Sequence, residues 1–524
     1  MYPLKVRRHS AYPWHLQRAL TYSGTGKSQR HSATIDMLID DVLLEIFDFC
    51  RRMIHDNYPF WPPLHPVSNW CILVHVCRRW RQIIFESPHR LNLRILCTYR
   101  TPVRTNLGIW PAFPIVLELC SQGLLEPQDE HNVITTLQHK DRVCSVRLYT
   151  TGSQLAKAVT FLQEPLPMLT DLYMRPTGLT SDRPVLTAEF LGGSAPNLLE
   201  ITLHSTSFPA LPTLLLSTSH LVSLNLFRIL PSGYISPERM VTCLGALPKL
   251  KTFTMRFRQF APWFESSRPD KIHPFPATRP VLPALTDFDF MGQFEYLEDL
   301  VAQIDSSPRL ERVSLIYRSP LLDLQATQLS EFVDRSIGPE FTPSRHALVH
   351  FHSGVTLTLS RKYANYPNCN RRSIATTILC SPSVWKPFDV ARVLSQFSAA
   401  FSTVFHLDLE LYHEPEDFLD DDYQSEDALD VDWLGLLRQF PAMQMLHVSM
   451  ELAAPVFIQL KDITAEYFAE LFPSLDLICL QAKPAPSLEK IVSIHRFSDY
   501  PVTVVRTTNE FTERLESRYS IVSR

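Results

Sequence analysis

The sequence predicts a mixed α+β / α/β chain, a small all-α module followed by a parallel β/α solenoid. Three observations predict it. Two amphipathic helical patterns flank a proline-rich spacer within residues 35–91. A short phrase, Leu-x-x-Φ-x-Φ with Φ apolar, returns from residue 143 onward. Helical stretches lie between its copies, so strand and helix alternate.

The totals fit such a chain. At 524 residues it can bury a large core in more than one structural unit. Hydrophobic residues at 45% and charged residues at 20% are the balance of a folded, soluble protein. The 41 prolines outnumber the 14 glycines, so elements are stopped by Pro and Gly-rich ligand loops are scarce. A net charge of −4 gives no ground for wholesale nucleic-acid binding. The 10 cysteines are spread singly, with no C-x-x-C pair, which fits a reducing compartment, cytosol or nucleus. No apolar run approaches the roughly 20 residues of a membrane helix.

Residues 1–34 carry Lys5, Arg7, Arg8, Arg18, Lys27 and Arg30 without an acid, the composition of a transit peptide. Pro3, Pro13 and Gly24 interrupt any amphipathic helix there, so a basic disordered tail is expected.

The all-α module opens at Ile35. Asp40 or Asp41 can cap a helix whose stripe is Val42, Leu43, Ile46, Phe47 and Cys50. Between Tyr58 and Pro66 four prolines exclude helix. One further helix is expected from about Asn69 to Phe85, with Leu73, Val76, Cys77, Trp80 and Ile84 on its apolar face and Arg78, Arg79 and Arg81 on a solvated one. Two short amphipathic helices make a marginal core, so their stripes pack against the rest of the chain or against a partner.

Catalytic patterns fail on inspection. Gly24-Thr25-Gly26-Lys27-Ser28 resembles the end of a phosphate loop, but Thr21 stands where the first glycine belongs and no buried strand precedes it. His350 and His352 alternate within an apolar stretch, as strand histidines do, and Cys369 and Cys380 are too far apart for a local zinc pair. No catalytic residue, metal ligand or cofactor is expected.

The repeat reads Val143-x-x-Val146-x-Leu148, Leu169-x-x-Leu172-x-Met174, Leu198-x-x-Ile201-x-Leu203 and Leu221-x-x-Leu224-x-Leu226. It continues at Leu250, Leu285 and Leu310, and returns at Val404, Met443 and Leu475. The first seven copies start 23 to 35 residues apart, close to the period of a leucine-rich repeat with insertions. Helical patterns at 236–247 and 296–304 supply the returning segments. One strand and one helix cannot bury their apolar faces alone, so neighbours must stack into a leucine-rich-repeat-like solenoid. A doubly wound enzyme would want a Gly-rich strand-to-helix turn, and none is present. The repeat is hard to follow between 316 and 404, where Val349–Phe351 and Val355–Leu359 read as a hairpin turning at Ser353-Gly354. An acidic tract follows at 413–432, read as a solvated loop or a docking site for basic peptides.

Asp41-Val42-Leu43-Leu44-Glu45-Ile46-Phe47, then Val76-Cys77-Arg78-Arg79-Trp80-Arg81, then Ser87-Pro88 resemble the F-box-like domain of basidiomycete fungi. Phe190–Pro196, Phe208–Pro212 and Ser232–Pro237 look like later phrases of the same family, so the likeness runs from about 35 to 505. The resemblance implies a non-enzymatic substrate receptor of an SCF-type ubiquitin ligase. Its helices would dock the Skp adaptor of a cullin–RING ligase, and its repeats would hold a client protein. By position, the adaptor-facing residues would be Leu38, Ile39, Leu43 and Ile46, with Phe47, Val76, Cys77 and Trp80. Leu38-Ile39 stands where the family has Leu-Pro, and the spacer between the helices is longer than in the common F-box. The strand face of a solenoid is its usual binding surface, so Tyr173, Thr202, Asn225, Thr254, Asp289 and Ser314 are the candidate client contacts. A repeat scaffold without ligase function is the alternative. No nucleic acid or membrane partner is expected.

The expected organisation is therefore a tail at 1–34, a helical module at 35–100, a connecting segment at 101–140, a solenoid at 141–505 and a tail at 506–524.

Overall fold

A computed structural model describes residues 35–53, 69–100, 103–121, 127–177, 184–258, 279–306, 310–318, 327–336, 346–351, 354–360, 373–379, 391, 395–397, 401–411, 431–460, 463–481 and 503–507. The basic segment 1–34, the spacer 54–68, Cys369, Cys380, His352 and all but the last two residues of the acidic tract lie outside them. The chain divides into two compact units, Met1–Asn92 and Leu93–Arg524.

In the first unit a 3-10 turn at Ile35–Met37 leads into α1 (Asp40–Met53), and α2 (Asn69–Val74) and α3 (Arg78–Glu86) follow. Asp40 and Asp41 sit in the first turn of α1, where the helix dipole favours carboxylates. The single helix expected over 69–85 is two helices. Cys77 is extended at φ −157°, and its Sγ accepts the Trp80 N–H at 3.4 Å as the N-cap of α3. Arg81 donates from Nε to the Val74 carbonyl at 3.0 Å, closing the end that α2 leaves open. Leu43, Leu44, Phe47, Val74, Ile83 and Ile84 are buried, and Phe47 packs on Trp80 with ring centroids 4.8 Å apart. Arg79 and Arg81 are not merely a solvated face. Arg79 bonds Asp40 Oδ1 at 2.6 Å and the Leu38 carbonyl at 2.5 Å, and Arg90 reaches Asp41 at 3.0 Å and Glu45 at 2.7 Å.

The second unit is α/β, built on one 16-stranded sheet among the described residues. The sheet begins earlier than expected. β1 (Ile95–Thr98), α4 (Val103–Ile109), β2 (Ile115–Cys120) and α5 (Pro127–Leu137) occupy most of the segment read as a connection, and β1 and β2 pair in parallel. β3 (Val143–Thr151), α6 (Gly152–Phe161), β4 (Asp171–Thr177), β5 (Glu200–His204), α7 (Leu211–Leu216) and β6 (Ser223–Ile229) continue it. So do α8 (Pro237–Gly245), β7 (Thr252–Phe257), β9 (Asp287–Gln293), α9 (Phe294–Val301) and β11 (Arg312–Arg318), while β8 (Val281–Leu282) and β10 (Asp305–Ser306) form a separate two-stranded ladder. α8 starts where the sequence predicts, with Ser236 capping it by accepting the Arg239 N–H.

After α10 (Thr327–Ser336) the order changes. β12 (His346–Phe351) and β13 (Gly354–Ser360) form the expected antiparallel hairpin, and β14 (Ser373–Leu379) pairs antiparallel with β13 and parallel with β11. β13 is thus the reversed strand that joins two parallel arrays. β15 (His406–Leu411), α11 (Trp433–Leu437), β16 (Met445–Val448), α12 (Met450–Leu460), α13 (Ala465–Leu471), β17 (Leu477–Gln481) and β18 (Thr503–Thr507) complete the unit, and the sheet runs past 505.

Each copy of the phrase places its two Φ positions on the face that the helices cover. Leu172, Ile201, Leu224, Phe253, Phe288 and Val313 form one buried row, and Met174, Leu203, Leu226, Met255, Phe290 and Leu315 the next. Side chains alternate across a strand, so the residues between them lie on the opposite face. Among the described residues no helix is long and apolar enough to cross a membrane.

Candidate functional site

Strand register fixes the composition of that opposite face. Tyr173 opposes Thr202, which opposes Asn225, Thr254, Asp289 and Ser314 in turn. The six residues taken as candidate client contacts are therefore one uninterrupted row across β4 to β11. Arg147 and Glu118 extend it on one side, and Ala375 and Thr358 on the other. Five of the six are half-buried and Thr254 is buried, so the row is accessible to a partner but tightly set.

The row is tied together. Asn225 donates to Thr202 Oγ1 at 3.3 Å and to Ser223 Oγ at 2.9 Å. Asp289 accepts both arms of Arg256, at 2.9 and 2.5 Å. This bidentate pairing raises the Arg256 pKa and fixes the guanidinium plane.

A second row, two residues further along each strand, was missed from the sequence. It holds Tyr149, Arg175, His204, Phe227 and Arg256. The Arg175 guanidinium lies 5.3 Å from the Tyr149 ring centroid and that of Arg256 lies 5.7 Å from the Phe227 ring. His204 stacks on Phe227 at 4.4 Å with the ring planes 16° apart, and Tyr173 meets His204 at 5.6 Å. Burial, with Arg175 and Arg228 nearby, lowers the His204 pKa to about 4, so its ring is neutral at pH 7. The third row, at the other end of the strands, mixes carboxylates with Ser223, Thr252 and Arg312. Asp171, Glu200 and Asp287 lie on it, and burial beside Asp171 raises the Glu200 pKa. The face thus grades from a row bearing carboxylates through hydroxyls and amides to arginines and aromatic rings. That suits a polypeptide chain, since Tyr and Arg are common anchors of protein interfaces. The alternation that identified the first row, carried two residues on, would have found the second.

The helical unit presents a different surface. Of the residues assigned by resemblance to the adaptor, Leu43 and Phe47 are buried in its core and correct that expectation: a side chain 0% or 1% exposed has no surface to offer a partner. Leu38, Cys77 and Trp80 are half-buried, Cys77 serving as a helix cap. Ile39, Ile46 and Val76 are exposed, at 66%, 36% and 56%. Met37, Phe49 and Ile72, not in the assigned set, are also exposed.

Comparisons with known proteins add little to this geometry. No family model matches the chain, and no curated protein matches it. One solved structure, described as the crystal structure of a Rad7 and Elc1 complex in yeast, aligns over 89% of this chain and 92% of its own. The identity is 11% and the TM-score 0.29. A likeness of that size carries no argument about what this chain does.

Proposed function

We propose that the chain is a substrate receptor of an SCF-type ubiquitin ligase, the helical unit docking a Skp-type adaptor and the open sheet face holding a client protein. The observation that carries this reading is the exposed apolar set on the helical unit. Ile39, Ile46 and Val76 stand in water amid charged neighbours, on the segment whose sequence resembles an F-box. The receptor would contribute position rather than chemistry, raising the effective concentration of a client lysine near a charged conjugating enzyme. It would work in the cytosol or nucleus.

The test is retrieval of a Skp adaptor by the tagged full chain. Ile39→Glu and Val76→Glu are the informative variants, because both side chains are exposed and the fold does not depend on them. Retrieval is expected from the wild type and at least about tenfold less from the double variant, since each buried apolar contact contributes about 1.5–3 kcal/mol. A wild-type chain that retrieves no adaptor while client-type partners still bind its sheet face would favour the scaffold reading instead.

A further inference from the structure

The same face of the sheet carries other chemistry in its second parallel array. The middle positions of the later repeat copies are Asp408 on β15 and His447 on β16, which oppose each other in register. His447 is 6% exposed, yet neither of its ring nitrogens has a hydrogen-bond partner. Its Nδ1 stands 3.7 Å from Asp408 Oδ1, outside the 2.7–3.2 Å of a hydrogen bond. Buried imidazoles are ordinarily satisfied, and this one points at a carboxylate without bonding it.

We propose that Asp408, Glu410 and His447 bind a divalent transition-metal ion of the zinc class. One ligand atom from each lies within 4.8 Å of the others. Two ligand atoms around an ion with bonds of about 2.1 Å stand about 3.4 Å apart, so the Asp408–His447 pair is close to the required spacing. Glu410 is 38% exposed in its side chain, so it would have room to turn and close the remaining gap. An imidazole nitrogen excludes the all-oxygen shells that calcium and magnesium prefer. Three protein ligands also leave a coordination position for water or a partner's side chain.

A supporting shell is in place. His346 Nε2 is 2.9 Å from Asp408 Oδ2, and His350 Nε2 is 2.5 Å from Glu410 Oε2. Each carboxylate is thereby oriented by a histidine from the neighbouring strand β12, as carboxylate ligands commonly are. His350 accordingly has a strand partner, as its alternating context predicts. The ligands come from two strands far apart in sequence, so no local spacing motif could have announced them. The site is independent of the receptor reading.

The experiment is a zinc titration of the full chain after stripping with a chelator, read against a chromophoric competitor, with the cobalt-loaded chain followed by its visible absorption. One tightly held ion per chain is expected. Glu410→Ala and His447→Gln should each weaken binding at least about tenfold, and His350→Ala about 10–100-fold. Glu410→Ala serves where His447→Gln fails to fold, since Glu410 lies at the edge of the site. The proposal is overturned if the wild-type chain takes up no stoichiometric zinc, or if uptake and the cobalt spectrum are unchanged in Glu410→Ala.

Discussion

His204 shows how a single side chain registers its place on the sheet. Burial on that face, with Arg175 and Arg228 beside it, lowers its pKa from the ordinary 6.5 to about 4. Between those values the folded chain binds fewer protons than the unfolded one. Its contribution is therefore fully present above about pH 6.5 and is lost as pH falls toward 4. Denaturation midpoints measured across that window should fall with acid in the wild type and less steeply in His204→Phe. Gly192 answers to a different constraint. Its φ is +65°, and a Cβ there would lie 2.5 Å from Pro165 Cγ, part of a ring that cannot swing aside. Gly192→Ala should cost at least about 1 kcal/mol in urea denaturation.

Among elements, the junction of α9 and α10 has the clearest consequence. Glu298 on α9 accepts the N–H groups of Gln328 and Leu329 at 3.0 and 2.9 Å, satisfying donors that begin α10. Burial outweighs those bonds and raises its pKa to about 7. A carboxyl raised in this way gives stability that is full below about 4.5 and is lost as pH rises through 7, the opposite trend to His204. Glu298→Gln keeps an oxygen acceptor and removes the titration, so its denaturation midpoint should change less between pH 4.5 and 7 than that of the wild type. The break between α2 and α3 belongs at this scale too. A Cys at an N-cap, preceded by β-branched Ile72, Val74 and Val76 at alternate positions, gave no sequence signal strong enough to divide the helix.

Over the whole second unit each strand meets only its neighbours, so stability is expected to be local as well as global. Phe288 is buried between Phe253 and Phe332, with ring centroids 5.7 and 5.6 Å away. Phe288→Ala should cost about 3–5 kcal/mol. Amide exchange should accelerate most in β7, β9 and β11 and least in β2 and β3. Loss of protection spread evenly over all these strands would show instead that the array opens as one unit.

The repeated phrase determined the strands of the array, their buried face and the residues between. The strand period of two leaves no other place for Tyr173 through Ser314 than a common face. It did not reveal β1 and β2, whose Ile115-Val116-Leu117-Glu118-Leu119 lacks the leading Leu spacing, nor the return of β14 beside β11. Register and pairing across strands were decided by tertiary structure alone. Periodicity says that a face is covered, but only packing says by what. That is why Leu43 and Phe47 turned inward while Ile39 and Val76 stayed in water, and why Asp408 and His447 met on adjacent strands.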